Sequence, residues 1–455
     1  MKYLNRRDFL INGGAAAALA ATPGMAYSQV IGNAAPFDDY RALVCVFLHG
    51  GNDSFNMLVP RSNAEYAVYE NARQNLAIPQ DQLLAINPLT SDGALYGLHP
   101  SMGGIQSLFE SGHAAFVANV GPLVEPTTRD QYRNKAVIVP SQLFSHNDQQ
   151  AQWHSLKGAS TSKTGWAGRM ADLIRSNVAD QQMTTNASLN GTSLFQSGDQ
   201  TVAYVMGANG PLQFEGFSTD PNSPLFEQRQ AFGRIVDAQY DSIYERGFAE
   251  IQRRAIDSAD AVSAAITSAQ NSGQITTVFP TGGLGNQLQT VARLIASRDQ
   301  LRMTRQIFFV GTGGFDTHDD QNNAQPALLQ DVSDAITAFH AATVELGIAG
   351  GVTTFTQSDF GRTLTSNGDG TDHAWGGNQI VVGGAVSGQD IYGTYPLLQI
   401  GGPDDTDNGG RMIPSTSADQ FAATLAKWFG IPDLDLDIVA PNLQNFAQRD
   451  LGFLV

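Results

Sequence analysis

Unbroken apolar runs and three-to-four spacing take turns along this chain. Residues 43–48 (Leu-Val-Cys-Val-Phe-Leu) are apolar throughout, the pattern of a central parallel strand buried on both faces. Residues 114–120, 307–310 and 352–356 predict further strands. Between the last two, Leu328, Val332, Ile336, Phe339 and Leu346 recur at helical spacing, with Gly347 as a stop signal. A strand, helix and strand in that order predict a right-handed crossover placing two parallel strands in one sheet. Residues 379–384 and 395–400 read as late strands, and 419–429 as a closing amphipathic helix.

The middle of the chain changes character. Residues 186–217 read as short β-like pieces with turns, and 226–270 as one long helix rich in Ala, Arg, Asp and Gln. We read about 186–285 as an insertion or cap on the sheet domain. The predicted fold class is α/β: a mostly parallel sheet flanked by helices, with a mixed β/helical insertion.

Composition adds constraints. A net charge of −17 over 455 residues argues against nucleic acid or an anionic membrane as partner, since both reward clustered Lys and Arg. No apolar run reaches the roughly 18–20 residues that span a bilayer. The N-terminus carries Arg6-Arg7, then a weakly hydrophobic Ala-rich run from Ile11 to Ala21 and small residues near Ala26 and Ser28. It resembles a twin-arginine export signal, so residues 1–28 are set apart from the 29–455 domain. The export machinery is then a partner, and a periplasmic or extracellular location is expected. Cys45 is the single cysteine and lies inside an apolar run, so no intramolecular disulfide forms and the thiol reads as inert packing.

The chemistry collects where strands end. Asp53 follows the first strand through His49-Gly50-Gly51-Asn52, Asp316 and His318 follow the 307–310 strand, and Asp359 follows the 352–356 strand, with Asp372-His373 shortly after. Open α/β sheets keep ligands beyond the carboxyl ends of their strands. Carboxylate oxygens with imidazole nitrogens suit zinc or manganese, while an oxygen-dominated set shifts the choice to magnesium or calcium. Each loop also reads as a turn in which Asn and Asp bond their own backbone.

The segments His49–Pro60, Gly314–His318, Ser358–Thr363 and Asp372–Gly377 resemble a bacterial family of exported proteins of unknown function, similar to the alkaline phosphatase and sulfatase superfamily. The resemblance implies an alkaline-phosphatase-like sheet and a bimetal site. Carried over, Asp53 and Asp359 bind one metal, and Asp316, His318 and His373 the other. Ser145, beside His146, takes the nucleophile's place in chain order, although it equally caps a helix starting near Asn147. Ser54 is the substitute nucleophile, and Arg362 either neutralises an oxyanion or forms a structural salt bridge. Two departures stand out: Asp316 and His318 lie closer together than the superfamily's pair, and Phe360 follows Asp359 where phosphatases carry His and sulfatases Asn. No Gly-x-Ser-x-Gly elbow and no complete dinucleotide fingerprint occurs. The expected function is a metal-dependent hydrolase acting on phosphate or sulfate esters. The alternative is a metal-stabilised binding or assembly protein on the same scaffold.

Overall fold

The computed structural model describes residues 35–90, 92–211, 217–218 and 220–455. The segment 1–28, read as an export signal, lies outside them. The chain begins its sheet with β1 (Arg41–Leu48) and then folds a small antiparallel sheet from β2 (Leu58–Pro60), β3 (Leu84–Ile86) and β4 (Tyr96–Leu98). Next come β5 (Ala114–Gly121), β6 (Asn186–Ser188), β7 (Tyr204–Val205), β8 (Arg305–Thr312) and β9 (Val352–Ser358). A hairpin of β10 (Arg362–Ser366) and β11 (Thr371–His373) precedes β12 (Gly377–Gly383), β13 (Ile391–Tyr392) and β14 (Thr416–Ser417).

The large sheet runs β13-β5-β12-β9-β1-β8-β6-β7, with β14 also paired to β5. β1 lies parallel between β8 and β9. β12 is antiparallel to both β9 and β5 and makes the sheet mixed. Alternation along β1 divides the core. Ala42, Val44, Val46 and Leu48 face one cluster with the helices Gly283–Ala296 and Gln321–Glu345. Leu43, Cys45 and Phe47 face the other with the helices Trp166–Ile174 and Ala418–Phe429. Both faces of β1 are therefore covered by helices, which is why its sequence is apolar at every position.

Three expectations change. The segment read as beginning an insertion at 186 instead starts inside the sheet, because β6 pairs with β8. The expected single helix over 226–270 is two, Phe226–Val236 and Ile243–Ser272; Ser242 accepts from the Glu245 amide and starts the second. Residues 395–400 form no strand: Pro396 offers no amide to a ladder, and the neighbouring pairing falls instead to β13.

Candidate metal centre

The loop after β1 approaches the rest of the site through glycines. Gly50 has φ +117°, and a β-carbon there would lie 2.4 Å from the Asp316 amide nitrogen. Gly51 has φ +88°, and its β-carbon would run into the Phe360 ring at 2.4 Å. Left-handed backbone and close approach both require glycine at these positions. The ends of β1, β8 and β9 and the hairpin β10–β11 thereby meet at one edge.

Three histidines surround the Asp316 carboxylate there. His146 opens the helix His146–Ser155, and its Nδ1 lies 2.6 Å from Asp359 Oδ2. His373 Nδ1 lies 2.8 Å from the Phe144 carbonyl oxygen. A carbonyl oxygen can only accept, so His373 Nδ1 carries a proton, and its Nε2 presents a lone pair when the ring is neutral. His318 Nδ1 is 3.3 Å from Asp372 Oδ1. The three Nε2 atoms converge. Those of His318 and His373 are 2.9 Å apart, and they stand 3.1 and 3.3 Å from Asp316 Oδ1. His146 Nε2 is 3.5 Å from Asp316 Oδ2. His146, Asp316 and His373 offer ligand atoms that all lie within 4.8 Å of one another.

The electrostatics fit a cation. Neutral rings can turn their Nε2 lone pairs and the Asp316 carboxylate towards a cation, or the His318–His373 pair can share a proton at 2.9 Å. Burial pushes the His373 imidazole towards its neutral form, and the Phe144 bond opposes that only in part; the neutral ring is the form that ligates. Burial raises the Asp316 carboxyl, but the Arg362 bond and charge, with His318 and His146, bring it below its usual value, so it stays ionised. Asp359, fully buried, keeps Oδ1 without a hydrogen-bond partner. A carboxylate that fixes the far nitrogen of an imidazole, as Asp359 does to His146, is the common support of a metal-bound histidine.

The remaining sequence-selected residues have other work. Asp53, 1% exposed, pairs with Arg73 and accepts from Gln321 Nε2 at 2.5 Å, so its charge is met by a buried guanidinium, while its Oδ1 has no hydrogen-bond partner among the described residues. Asp359 stands behind His146, supporting that ring. Arg362 is buried, with donors on Asp316 Oδ1 (2.6 Å), the Gly50 carbonyl (3.1 Å) and both oxygens of Thr371. It anchors Asp316 and presents nothing to an oxyanion. Ser145 Oγ donates to Asp148 Oδ2 at 2.6 Å, and Ser54 Oγ accepts from the Asn378 amide at 2.7 Å. Both hydroxyls are engaged by neighbouring groups of the fold. His146, read from sequence as a catalytic neighbour, belongs with the ligand set. Phe360 was read only as a departure, yet its buried ring packs 4.8 Å from His146 and 4.6 Å from His373, centroid to centroid.

Comparison with known proteins adds a family. No curated protein matches the chain. Among solved structures, the lipoteichoic acid synthase LtaP from Listeria monocytogenes is 7% identical, with 92% of this chain and 78% of that one covered at a TM-score of 0.35. A Bacteroides thetaiotaomicron protein solved in work on the metabolism of multiple glycosaminoglycans is 10% identical, covering 87% and 74% at a TM-score of 0.32. Likenesses this distant carry no statement about activity. Residues 40–432 match a family described as "Protein of unknown function (DUF1501)", and the chain belongs to it.

Proposed function

We propose that this protein holds one divalent transition-metal ion at the carboxyl edge of its sheet and uses it in hydrolysis of an anionic ester, of the phosphate or sulfate class. The observation carrying this is the convergence of three Nε2 atoms on the Asp316 carboxylate, two of them with the far nitrogen fixed by an acceptor. His146, His373 and Asp316 would hold the ion, with His318 beside them against Asp316. Imidazole nitrogens with a carboxylate oxygen favour zinc or manganese over magnesium or calcium. When bound, such an ion supplies Lewis acidity towards an ester oxygen and makes water a stronger acid.

The chain's own residues supply position. Arg362 fixes Asp316, Asp359 fixes His146, and the Phe144 carbonyl fixes His373. Phe360 walls one side with hydrocarbon, and Arg73 already neutralises Asp53, so two guanidinium groups and a phenyl ring stand against a second ion. The centre opens to solvent, with the Asp316 side chain 45% exposed. With Ser145 and Ser54 both engaged, water is the attacking group in this reading.

A second reading, a metal-stabilised binding or assembly protein, is favoured by those same two engaged hydroxyls. Assay of metal-loaded protein against aryl phosphates and sulfates separates the two. Turnover abolished by His373→Ala supports hydrolysis. A stoichiometric metal with no turnover on either ester class leaves the binding reading.

A further inference from the structure

Three guanidinium groups lie about this edge of the sheet: Arg73 on Asp53, Arg362 on Asp316 and Arg411 on the His373 backbone. Arg73 and Arg362 are wholly buried, whereas the Arg411 side chain is 28% exposed. Arg411 Nε donates to the His373 carbonyl at 3.0 Å and Nη1 to Asp407 Oδ2 at 2.9 Å. Its guanidinium lies 4.8 Å from the centroid of the Phe144 ring, and the Phe144 carbonyl holds His373 Nδ1. Nη2 takes no partner among the described residues.

Charge explains why an anion needs this residue. Asp316, Asp359 and Asp372 against Arg362 leave two formal negative charges around the imidazoles, which repel an anion. A divalent ion cancels them without leaving a surplus. Arg411 is a positive charge held on the His373 carbonyl, partly exposed and with Nη2 unoccupied among the described residues.

We infer that Arg411 is the anion-recognising residue of this centre, binding the non-bridging oxygens of a phosphate or sulfate group, and that the anion binds only after the metal. This rests on the metal-centre reading above. Asp407 tempers the site, because its carboxylate shares the Arg411 guanidinium.

The test is calorimetric titration of inorganic phosphate into zinc-loaded and chelator-treated protein, with metal content measured on every sample. Wild type should bind phosphate only when loaded. Arg411→Gln should bind about tenfold more weakly, the scale of one charge-assisted hydrogen bond, with its metal retained. Asp407→Asn, which frees the guanidinium, should bind about two- to fivefold more tightly, the scale of one exposed ion pair. Loaded wild type that binds phosphate with Arg411→Gln unchanged overturns the assignment while the metal reading stands. Loss of metal in Arg411→Gln, with no tightening in Asp407→Asn, overturns it too and makes Arg411 a positioning residue for His373. Wild type that takes up no zinc removes the metal reading, and this inference with it.

Discussion

Replacing Arg73 by methionine asks whether Asp53 is a structural partner or a metal ligand. Arg73 is completely buried; its Nη2 meets Asp53, and its Nη1 donates to the carbonyls of Thr363 (2.9 Å) and Leu364 (3.3 Å). Methionine fills much of the stem's volume but leaves the Asp53 carboxylate uncompensated at 1% exposure. Breaking a buried pair from one side costs about 3–5 kcal/mol, and the two carbonyls that lose Nη1 add about 1 kcal/mol. Asp53→Asn breaks the pair from the other side and falls in the same 3–5 kcal/mol range, roughly. Because each single change leaves the partner charge buried alone, Asp53→Asn/Arg73→Met should lose clearly less than their sum. Urea unfolding in the presence of a chelator measures this with metal removed from both states. Metal content of the refolded samples should be unchanged in Asp53→Asn. Asp53→Asn with wild-type stability in chelator but no bound metal would refute the reasoning and return Asp53 to the ligand set.

Three further outcomes follow from the same geometry. Asp359→Asn weakens the acceptor that orients His146 and should lower metal affinity by about 10–100-fold, read by competition with a chromophoric chelator. Phe360→Ala removes a buried ring between two imidazoles; it should cost about 3–5 kcal/mol in unfolding free energy and loosen metal binding in the same titration. Asp419, on the helix Ala418–Phe429, has its carboxyl pushed up to about 7, chiefly by burial, against the opposing bonds from Asn442 and Ser417 and the charge of Arg169. Its folded pKa lies above the unfolded value, so the folded chain holds the proton longer. Stability should then fall from about pH 4 to about pH 7, by at most about 1.4 kcal/mol per pH unit. Asp419→Asn should flatten that part of the profile in pH-dependent unfolding, and an unchanged slope would exclude Asp419 as its source.

The sheet was legible because its central strands are buried on both faces, which gives unbroken apolar runs at 43–48 and 307–310 and a β-branched, aromatic run, Val-Thr-Thr-Phe-Thr, at 352–356. The crossover helix showed itself through Val332, Ile336 and Phe339, all of which reach the core. Asp316, His318 and Asp359 could be picked out because each follows a strand at the carboxyl edge, and His373 because it comes shortly after Asp359, where it ends β11. What escaped depends on contacts between distant segments. Nothing local to Arg73, a helical residue 20 positions beyond Asp53, announces that it will neutralise that carboxylate. His146 was seen beside Ser145, but its place among the ligands comes from the helix start aiming it at Asp316 and Asp359. Arg362 looks the same in sequence whether it faces solvent or is buried, and only the hairpin β10–β11 closes it in.

Metal content of folded protein purified from the compartment it occupies, for wild type beside His146→Ala/His373→Ala and Asp53→Asn, tests the centre most directly. One zinc or manganese per chain is predicted in wild type and in Asp53→Asn, and none in the double histidine variant. A well-folded wild type without metal, or two ions per chain with one lost in Asp53→Asn, would contradict a single-metal centre built on His146, His373 and Asp316.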